Sequence, residues 1–214
     1  MVACSKIQIL IVDDHAIVRE GLKLILGDTD DMEVGGEAET SNEAIRLTRQ
    51  QPWDLVLLDI SMPDRNGLET LQQIKVERPQ LPVLMLSAYA EEQYAVRALK
   101  LGAAGYLTKE CSASELRAAI LKVVAGGRYV SASLAEKLAE YIGLDSERLA
   151  HETLSNREFQ VMLLIAAGKS VKAIAEELSL SPKTVSTHRT RLLTKMRLDS
   201  NSDVIRYAVE HHLS

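Results

Sequence analysis

A chain of 214 residues, 46% hydrophobic and 26% charged, has material for one ordinary α/β domain and a smaller partner. Its apolar runs stop well short of the ~18 to 20 residues that span a bilayer, and Met1 to Lys6 leads straight into a strand, so neither a membrane span nor a signal peptide is expected. The net charge of −5 is uneven: residues 151–214 hold nine Lys/Arg and seven Asp/Glu (+2), leaving 16 against 23 (−7) elsewhere, which suggests two jobs. Cys4 and Cys111 lack metal-ligand spacing and read as reduced thiols of a cytosolic protein.

From residue 7 to about 127, short apolar runs alternate with helical patterns. The run Ile7 to Val12 ends in the acid pair Asp13-Asp14, and Ala16 to Leu26 has helical spacing. Asn42 to Gln51 follows with Ser41 as its expected N-cap. A second run, Asp54 to Leu58, ends at Asp59, and the helix Leu68 to Glu77 is stopped by Arg78-Pro79. Val83 to Leu86 ends at Ser87, and Glu91 to Leu101 is closed by Gly102 at C′. Gly105 to Thr108 delivers Lys109, and Ser112 to Glu115 reads as a capping box for a helix ending near Gly126-Gly127.

Five strands alternating with five helices predict a flavodoxin-like, doubly wound parallel sheet. Right-handed crossovers give the order 2-1-3-4-5, which puts strand 1 beside strand 3 and Asp13-Asp14 beside Asp59. The C-terminal ends of parallel strands share one edge, where ligands bind. Three carboxylates, the Ser87 hydroxyl and the Lys109 ammonium therefore converge there. That is a kit for phosphoryl transfer: acids to hold Mg²⁺, one acid to attack, and a cation for the transferring oxygens.

The stretch Asp59-Ile60-Ser61-Met62-Pro63-Asp64-Arg65-Asn66-Gly67, with Asp13-Asp14 before it and Ser87, Tyr106 and Lys109 after it, resembles the receiver domains of bacterial two-component response regulators over about residues 5–127. The resemblance implies that Asp59 is the phosphoacceptor, phosphorylated by a partner histidine kinase. It implies a Mg²⁺ cofactor on Asp14, Asp13, Asp59 and the backbone carbonyl of Ser61. Lys109 would pair with the phosphoryl oxygens, Ser87 would hydrogen-bond them, and Tyr106 would rotate into the space Ser87 leaves.

Residues 128–150 read as a linker with one amphipathic helix, Ser133 to Ile142, whose apolar residues Leu134, Leu138 and Ile142 recur at i, i+4 and i+8. The segment 151–214 is helical throughout. Ser155-Asn156-Arg157-Glu158 is a second capping box, with Leu154 and Phe159 placed for a hydrophobic staple, and this helix closes at Gly168. Val171 to Leu178 is a short helix, Ser179-Leu180 a turn, and Ser181 caps a helix from Pro182 to about Arg197. That pair is a helix-turn-helix, backed by a fourth helix from Asn201 to His212.

The window Pro182 to Arg197 holds five basic residues and no acidic one, the footprint of phosphate contact. Val185, Leu192 and Met196 form its inward stripe, which turns Lys183, Ser186, Thr187, Thr190 and Arg191 outward. Leu154 to Glu158, Ile174-Ala175, Ser181 to Val185 and His188 together resemble the LuxR-type DNA-binding domain. Receiver plus this domain is the arrangement of the NarL/FixJ family, spanning essentially the whole chain. The resemblance implies double-stranded promoter DNA as a partner, met by Lys183, Thr184, Ser186, Thr187, His188, Thr190, Arg191 and Lys195, with the lysines and Arg191 mainly on phosphates. Where some relatives present lysine, valine and lysine to the bases, this chain has Ser186, Thr187 and Thr190, which cannot make the bidentate guanine contacts of arginine.

The expected protein is a cytoplasmic transcriptional regulator that dimerises on phosphorylation and is no metabolic enzyme beyond promoting its own phosphorylation and slow dephosphorylation. Two rivals share features with it. An Asp-nucleophile phosphatase has the acid cluster but needs insertions for which the short connections leave no room. A protein-interaction adaptor would leave the acid-free basic helix without a role.

Overall fold

The computed structural model describes residues 6–62, 64–88, 91–132, 134–136, 149–211 and 213. The chain divides into two compact units at Leu134/Ala135. In the first, β1 (Ile7–Val12), α1 (Ala16–Gly27), β2 (Met32–Ala38), α2 (Ser41–Gln50) and β3 (Leu55–Leu58) are followed by α3 (Gly67–Glu77), β4 (Val83–Ser87), α4 (Glu91–Lys100), β5 (Gly105–Thr108) and α5 (Ala113–Val124).

All strand pairs are parallel and the order is β2-β1-β3-β4-β5, as expected. Every residue of β3 and β4 is buried, which is why these strands read as unbroken apolar runs rather than as alternation. On one face Ile9, Ile11, Leu57, Leu84 and Leu107 pack with Leu22 and Leu26 of α1 and with Leu116 and Ile120 of α5. The alternate residues Leu10, Val56, Leu58 and Met85 are buried too, so both faces are covered.

Register fixes the functional edge. Val12 pairs with Leu58, and the Asp59 N–H donates to the Val12 carbonyl at 2.9 Å, so the acids that follow these strands are neighbours. Ser87 pairs with Thr108, and the Lys109 N–H donates to the Ser87 carbonyl at 2.8 Å.

Two caps differ from expectation. Thr40, not Ser41, caps α2, its hydroxyl accepting the Glu43 N–H at 3.2 Å. Ser41 is the first helical residue, because its amide and hydroxyl are turned to Asp64 and the Arg65 carbonyl instead. At α5, Ser112 accepts the Glu115 N–H, but Glu115 takes the Tyr129 hydroxyl at 2.9 Å, so only half of the expected box forms. Tyr129 extends the first unit: its N–H donates to the Ala104 carbonyl, and it bridges Gly105 in parallel at the edge of β5. The backbone there lies so close that a Cβ on Gly105 would stand 2.7 Å from the Tyr129 carbonyl oxygen. Of the predicted linker helix, Leu134 is buried and belongs to the first unit, while Leu138 and Ile142 lie outside the described residues.

The second unit comprises a 3-10 turn (Ala150–Thr153), α6 (Asn156–Ala166), α7 (Val171–Glu177), α8 (Pro182–Met196) and α9 (Asn201–Glu210). Helix α6 is its core, buried from Phe159 to Ile165 and opened by a complete Ser155–Glu158 capping box. The turn from α7 to α8 passes through Ser179 at φ 52°, a left-handed conformation held by the Leu180 N–H on the Ala175 carbonyl at 2.8 Å. Ser181 then caps α8, accepting the Thr184 N–H at 3.0 Å with Pro182 in the first turn. A further box, Ser200–Asp203, opens α9.

Candidate functional site

The strand ends gather as the spacing predicts. Ligand atoms of Asp13, Asp14, His15 and Asp59 all lie within 4.8 Å of one another. Lys109 Nζ stands 2.6 Å from Asp13 Oδ2 and 2.9 Å from Asp59 Oδ2. Asp13 and Asp59 are each 2% exposed. Asp59 Oδ1 is held by the Ile60 N–H at 2.7 Å, which directs the other oxygen, Oδ2, to the Lys109 side of the pocket.

Burial is the largest influence on Asp59 and pushes its carboxyl up to about 6; Lys109 opposes the rise and Asp13 adds to it. Burial acts to lower the Lys109 ammonium, but the charges of Asp59 and Asp13 outweigh it and hold the lysine above its ordinary value. The two are an ion pair in a largely buried pocket.

A hard divalent cation fits this pocket. The donors are carboxylate oxygens, the set that Mg²⁺ prefers. Asp59 Oδ2 and Asp14 Oδ1 are buried and take no aligned hydrogen bond, although each has a nitrogen at ion-pair distance, Lys109 Nζ and His15 Nδ1 respectively. Charged oxygens left in that state are what an added cation would satisfy.

Three supporting residues escaped the sequence reading. Arg19 is 7% exposed, donates to the Asp13 backbone carbonyl at 2.8 Å, and is itself held by Glu37 at 3.2 Å and by Glu39. A charged residue inside the apolar stripe Val18, Leu22 and Leu26 was its signal. His15 contacts Asp14 at 2.8 Å and Asp13 at 3.3 Å, and its place directly after the acid pair could have revealed it. Asp64 accepts the Ser41 N–H at 3.0 Å and the Asn42 N–H at 3.2 Å, tying the loop after Asp59 to the start of α2. Gly67 is required here: a Cβ at this position would lie 2.0 Å from the Asp59 carbonyl oxygen. Ser87 and Tyr106, at the ends of β4 and in β5, are both fully buried.

On α8, Lys183, Ser186, Thr187, Thr190 and Arg191 are exposed, opposite the buried Val185, Leu192 and Met196. Thr184 and His188 are half-buried at its flank. Lys195 is engaged elsewhere, 2.6 Å from the Oε2 of Glu158, whose residue is only 3% exposed. Arg189, which the sequence reading passed over, donates to Asn201 at 2.6 Å and fastens α8 to α9.

A sheet edge that presents a buried acid to a lysine, carried on the same chain as a basic helix-turn-helix, defines a phosphoacceptor protein with a DNA-binding module. The model for the response regulator receiver domain matches residues 9–121, and that for the luxR family of bacterial regulatory proteins matches residues 152–208. Response regulator UvrY of Escherichia coli K12 is 36% identical over 208 residues, 97% of this chain and 95% of UvrY. Response regulator GacA of Pseudomonas aeruginosa is 35% identical over 206 residues, 96% of each chain. Among solved structures, RcsB of Salmonella enterica serovar Typhimurium, bound to promoter rprA in the presence of the phosphomimetic BeF3−, is similar at TM-score 0.64 and 25% identity, covering 95% of this chain and 98% of RcsB. This chain belongs to the NarL/FixJ family of response regulators and is a phosphorylation-controlled transcription regulator.

Proposed function

We propose that Asp59 accepts a phosphoryl group from the phosphohistidine of a partner kinase and that the phosphorylated chain binds promoter DNA as a homodimer. The observation that carries the first half is Asp59 itself, buried, tied through Oδ1 and facing Lys109 at 2.9 Å through Oδ2. Oδ2 attacks phosphorus, the P–N bond breaks, and the imidazole nitrogen leaves with the bonding pair. Lys109 then stands beside the oxygens that gain charge, where a fixed cation in a dry site acts most strongly. The same geometry serves small phosphodonors and slow hydrolysis of the acyl phosphate.

Asp13, Asp14, Asp59 and the Ser61 carbonyl would hold Mg²⁺, which when bound neutralises the phosphoryl oxygens. Arg19 supports the Asp13 backbone and Asp64 the loop that carries Ser61. Ser87 is assigned to a hydrogen bond with the phosphoryl group, and Tyr106 to the side-chain change that follows. On DNA, Lys183 and Arg191 meet phosphates, and Thr184, Ser186, Thr187, His188 and Thr190 lie toward the groove. Lys195, expected among the phosphate contacts, is instead paired with Glu158 at 2.6 Å, and we assign it to holding α8 on α6. We assign residues 5–127 to the receiver, 128–150 to the linker and 151–214 to the DNA-binding domain. A cytoplasmic location suits both partners, and among the described residues no helix is long and apolar enough to cross a membrane.

Incubation with radiolabelled acetyl phosphate and Mg²⁺ tests the assignment. Wild-type protein should take up label that alkali or hydroxylamine releases, as an acyl phosphate requires, and Asp59→Asn should take up none because an amide does not attack phosphorus. Label on Asp59→Asn at the wild-type level would refute the phosphoacceptor assignment.

A further inference from the structure

The outward face of α8 carries hydroxyls whose protons are already engaged. Ser186 donates to the Pro182 carbonyl at 2.9 Å, Thr187 to Lys183 at 3.0 Å, Thr190 to Ser186 at 3.0 Å and Thr194 to Thr190 at 3.0 Å. A backbone carbonyl only accepts, so each hydroxyl must be the donor. At 3.6 residues per turn the four occupy an arc of about 100°, centred opposite the buried Val185, Leu192 and Met196. What faces outward is therefore hydroxyl lone pairs and, from the threonines, methyl groups. The face accepts hydrogen bonds and offers apolar contact, but its short side chains offer no proton.

We propose that Ser186, Thr187 and Thr190 make this helix a reader of A·T pairs, through adenine N6 and the thymine methyl, and a rejecter of guanine. The proposal rests on the DNA-binding reading above and deepens it. In the major groove guanine presents two acceptors, N7 and O6, and meeting them would require a hydroxyl to rotate and surrender its bond to the i−4 carbonyl. Cytosine offers an amino donor but no methyl. Only an A·T pair offers both an amino donor, on adenine N6, and a methyl group, on thymine. Base edges are reached by the N-terminal part of a recognition helix, which includes positions 186, 187 and 190. Thr194 lies about 18 Å along the axis from Pro182, beyond those turns. Lys183 and Arg191 flank the hydroxyls and supply the charge that holds the helix to any duplex.

Two threonine replacements separate the two contacts. Thr187→Ser and Thr190→Ser keep the hydroxyl and delete the methyl; Thr187→Val and Thr190→Val keep a methyl and delete the acceptor. The full-length chain, with Mg²⁺ and beryllofluoride, would first select duplexes from a randomised pool. The selected duplexes would then be remade with deoxyuridine for thymine, or with G·C for A·T.

We expect A·T pairs at the positions whose preference the threonine variants alter. Loss of a thymine methyl there should weaken wild-type binding about three- to tenfold. The serine variants should ignore that loss, and the valine variants should respond to it but no longer prefer adenine to guanine. Guanine selected at those positions, or deoxyuridine bound as tightly as thymine by the wild type, would overturn the inference. A salt-dependent affinity for duplexes that persists through such a result leaves the DNA-binding reading standing. Absence of salt-dependent binding to every duplex overturns both.

Discussion

Burial pushes the Asp59 carboxyl up to about 6, with Lys109 pulling the other way, so near neutral pH the group is ionised at an expense to the fold. The ordinary carboxyl value is 3.8, so between about 4 and 6 the folded protein binds the extra proton. Stability contributed by the neutral acid is present below the ordinary value and lost as pH rises through 6. The shift of about two units corresponds to roughly 3 kcal/mol once ionisation is complete. In EDTA, Asp59→Asn should therefore raise the unfolding free energy by up to about 3 kcal/mol at pH 7.5 and leave it little changed at pH 4. Urea unfolding at the two pH values measures this; equal effects at both would show that ionisation of Asp59 is not what strains the pocket. A cation bound beside Asp59, as proposed above, would offset this cost by favouring the ionised carboxylate. Asp59 was legible in the sequence because a strand end in a parallel sheet has one address, and the apolar run before it announces the strand. Arg19 was legible only as a charge inside an apolar stripe: its bond goes to the Asp13 backbone carbonyl, which no side-chain pattern marks, and the two acids that hold it, on and beside β2, lie 18 and 20 residues away.

The loop after β3 and the start of α2 form one unit through Asp64. Burial acts to raise this carboxyl, and the amides of Ser41 and Asn42 outweigh it and hold it below the usual range. Asp64→Ala should remove an N-terminal acceptor worth about 1 kcal/mol and weaken Mg²⁺ binding several-fold, because Ser61 lies three residues upstream in the freed loop. Calorimetric Mg²⁺ titration unchanged by Asp64→Ala would separate the loop from the metal site. The contact was hidden because a capping residue is sought beside its own helix, whereas this one comes from 23 residues away. Helix α8 shows the converse limit of pattern reading. Its inward and outward faces follow from periodicity alone, but the partner of Lys195 depends on how α6 packs against it. Lys183→Ala should lower the log-log salt slope of duplex binding by about one without changing sequence preference. Lys195→Ala should instead lower stability by about 1 kcal/mol, since it leaves the buried Glu158 carboxylate with the Ser155 N–H but no cation, while the lysine itself was half-exposed and screened. Equal salt slopes for wild type and Lys183→Ala would remove Lys183 from the phosphate contacts.

Two units on one chain make the receiver's chemistry useful only if it alters how the DNA-binding unit meets a duplex. One small helix-turn-helix unit that meets the bases through short hydroxyl residues, as proposed above, would make few specific contacts, and the affinity of one copy would be modest. Two copies on half-sites one helical turn apart, about 10 bp, turn the second contact into an intramolecular event at high effective concentration. Dimerisation on phosphorylation would thus supply the affinity that α8 alone lacks. The linker leaves the first unit under restraint: Tyr129 bridges the edge of β5, its hydroxyl meets Glu115, and Leu134 is buried with its N–H on the Ser131 hydroxyl at 3.1 Å. That anchorage ties the start of the linker to the strand that holds Tyr106 and ends beside Lys109. Sedimentation with and without beryllofluoride should show monomer becoming dimer at tens of micromolar. Affinity for a duplex carrying two half-sites should rise by at least tenfold in step, with far less gain on a single half-site. Should the beryllofluoride form remain monomeric and bind both duplexes no tighter, the receiver must act on the DNA-binding unit by some route other than pairing.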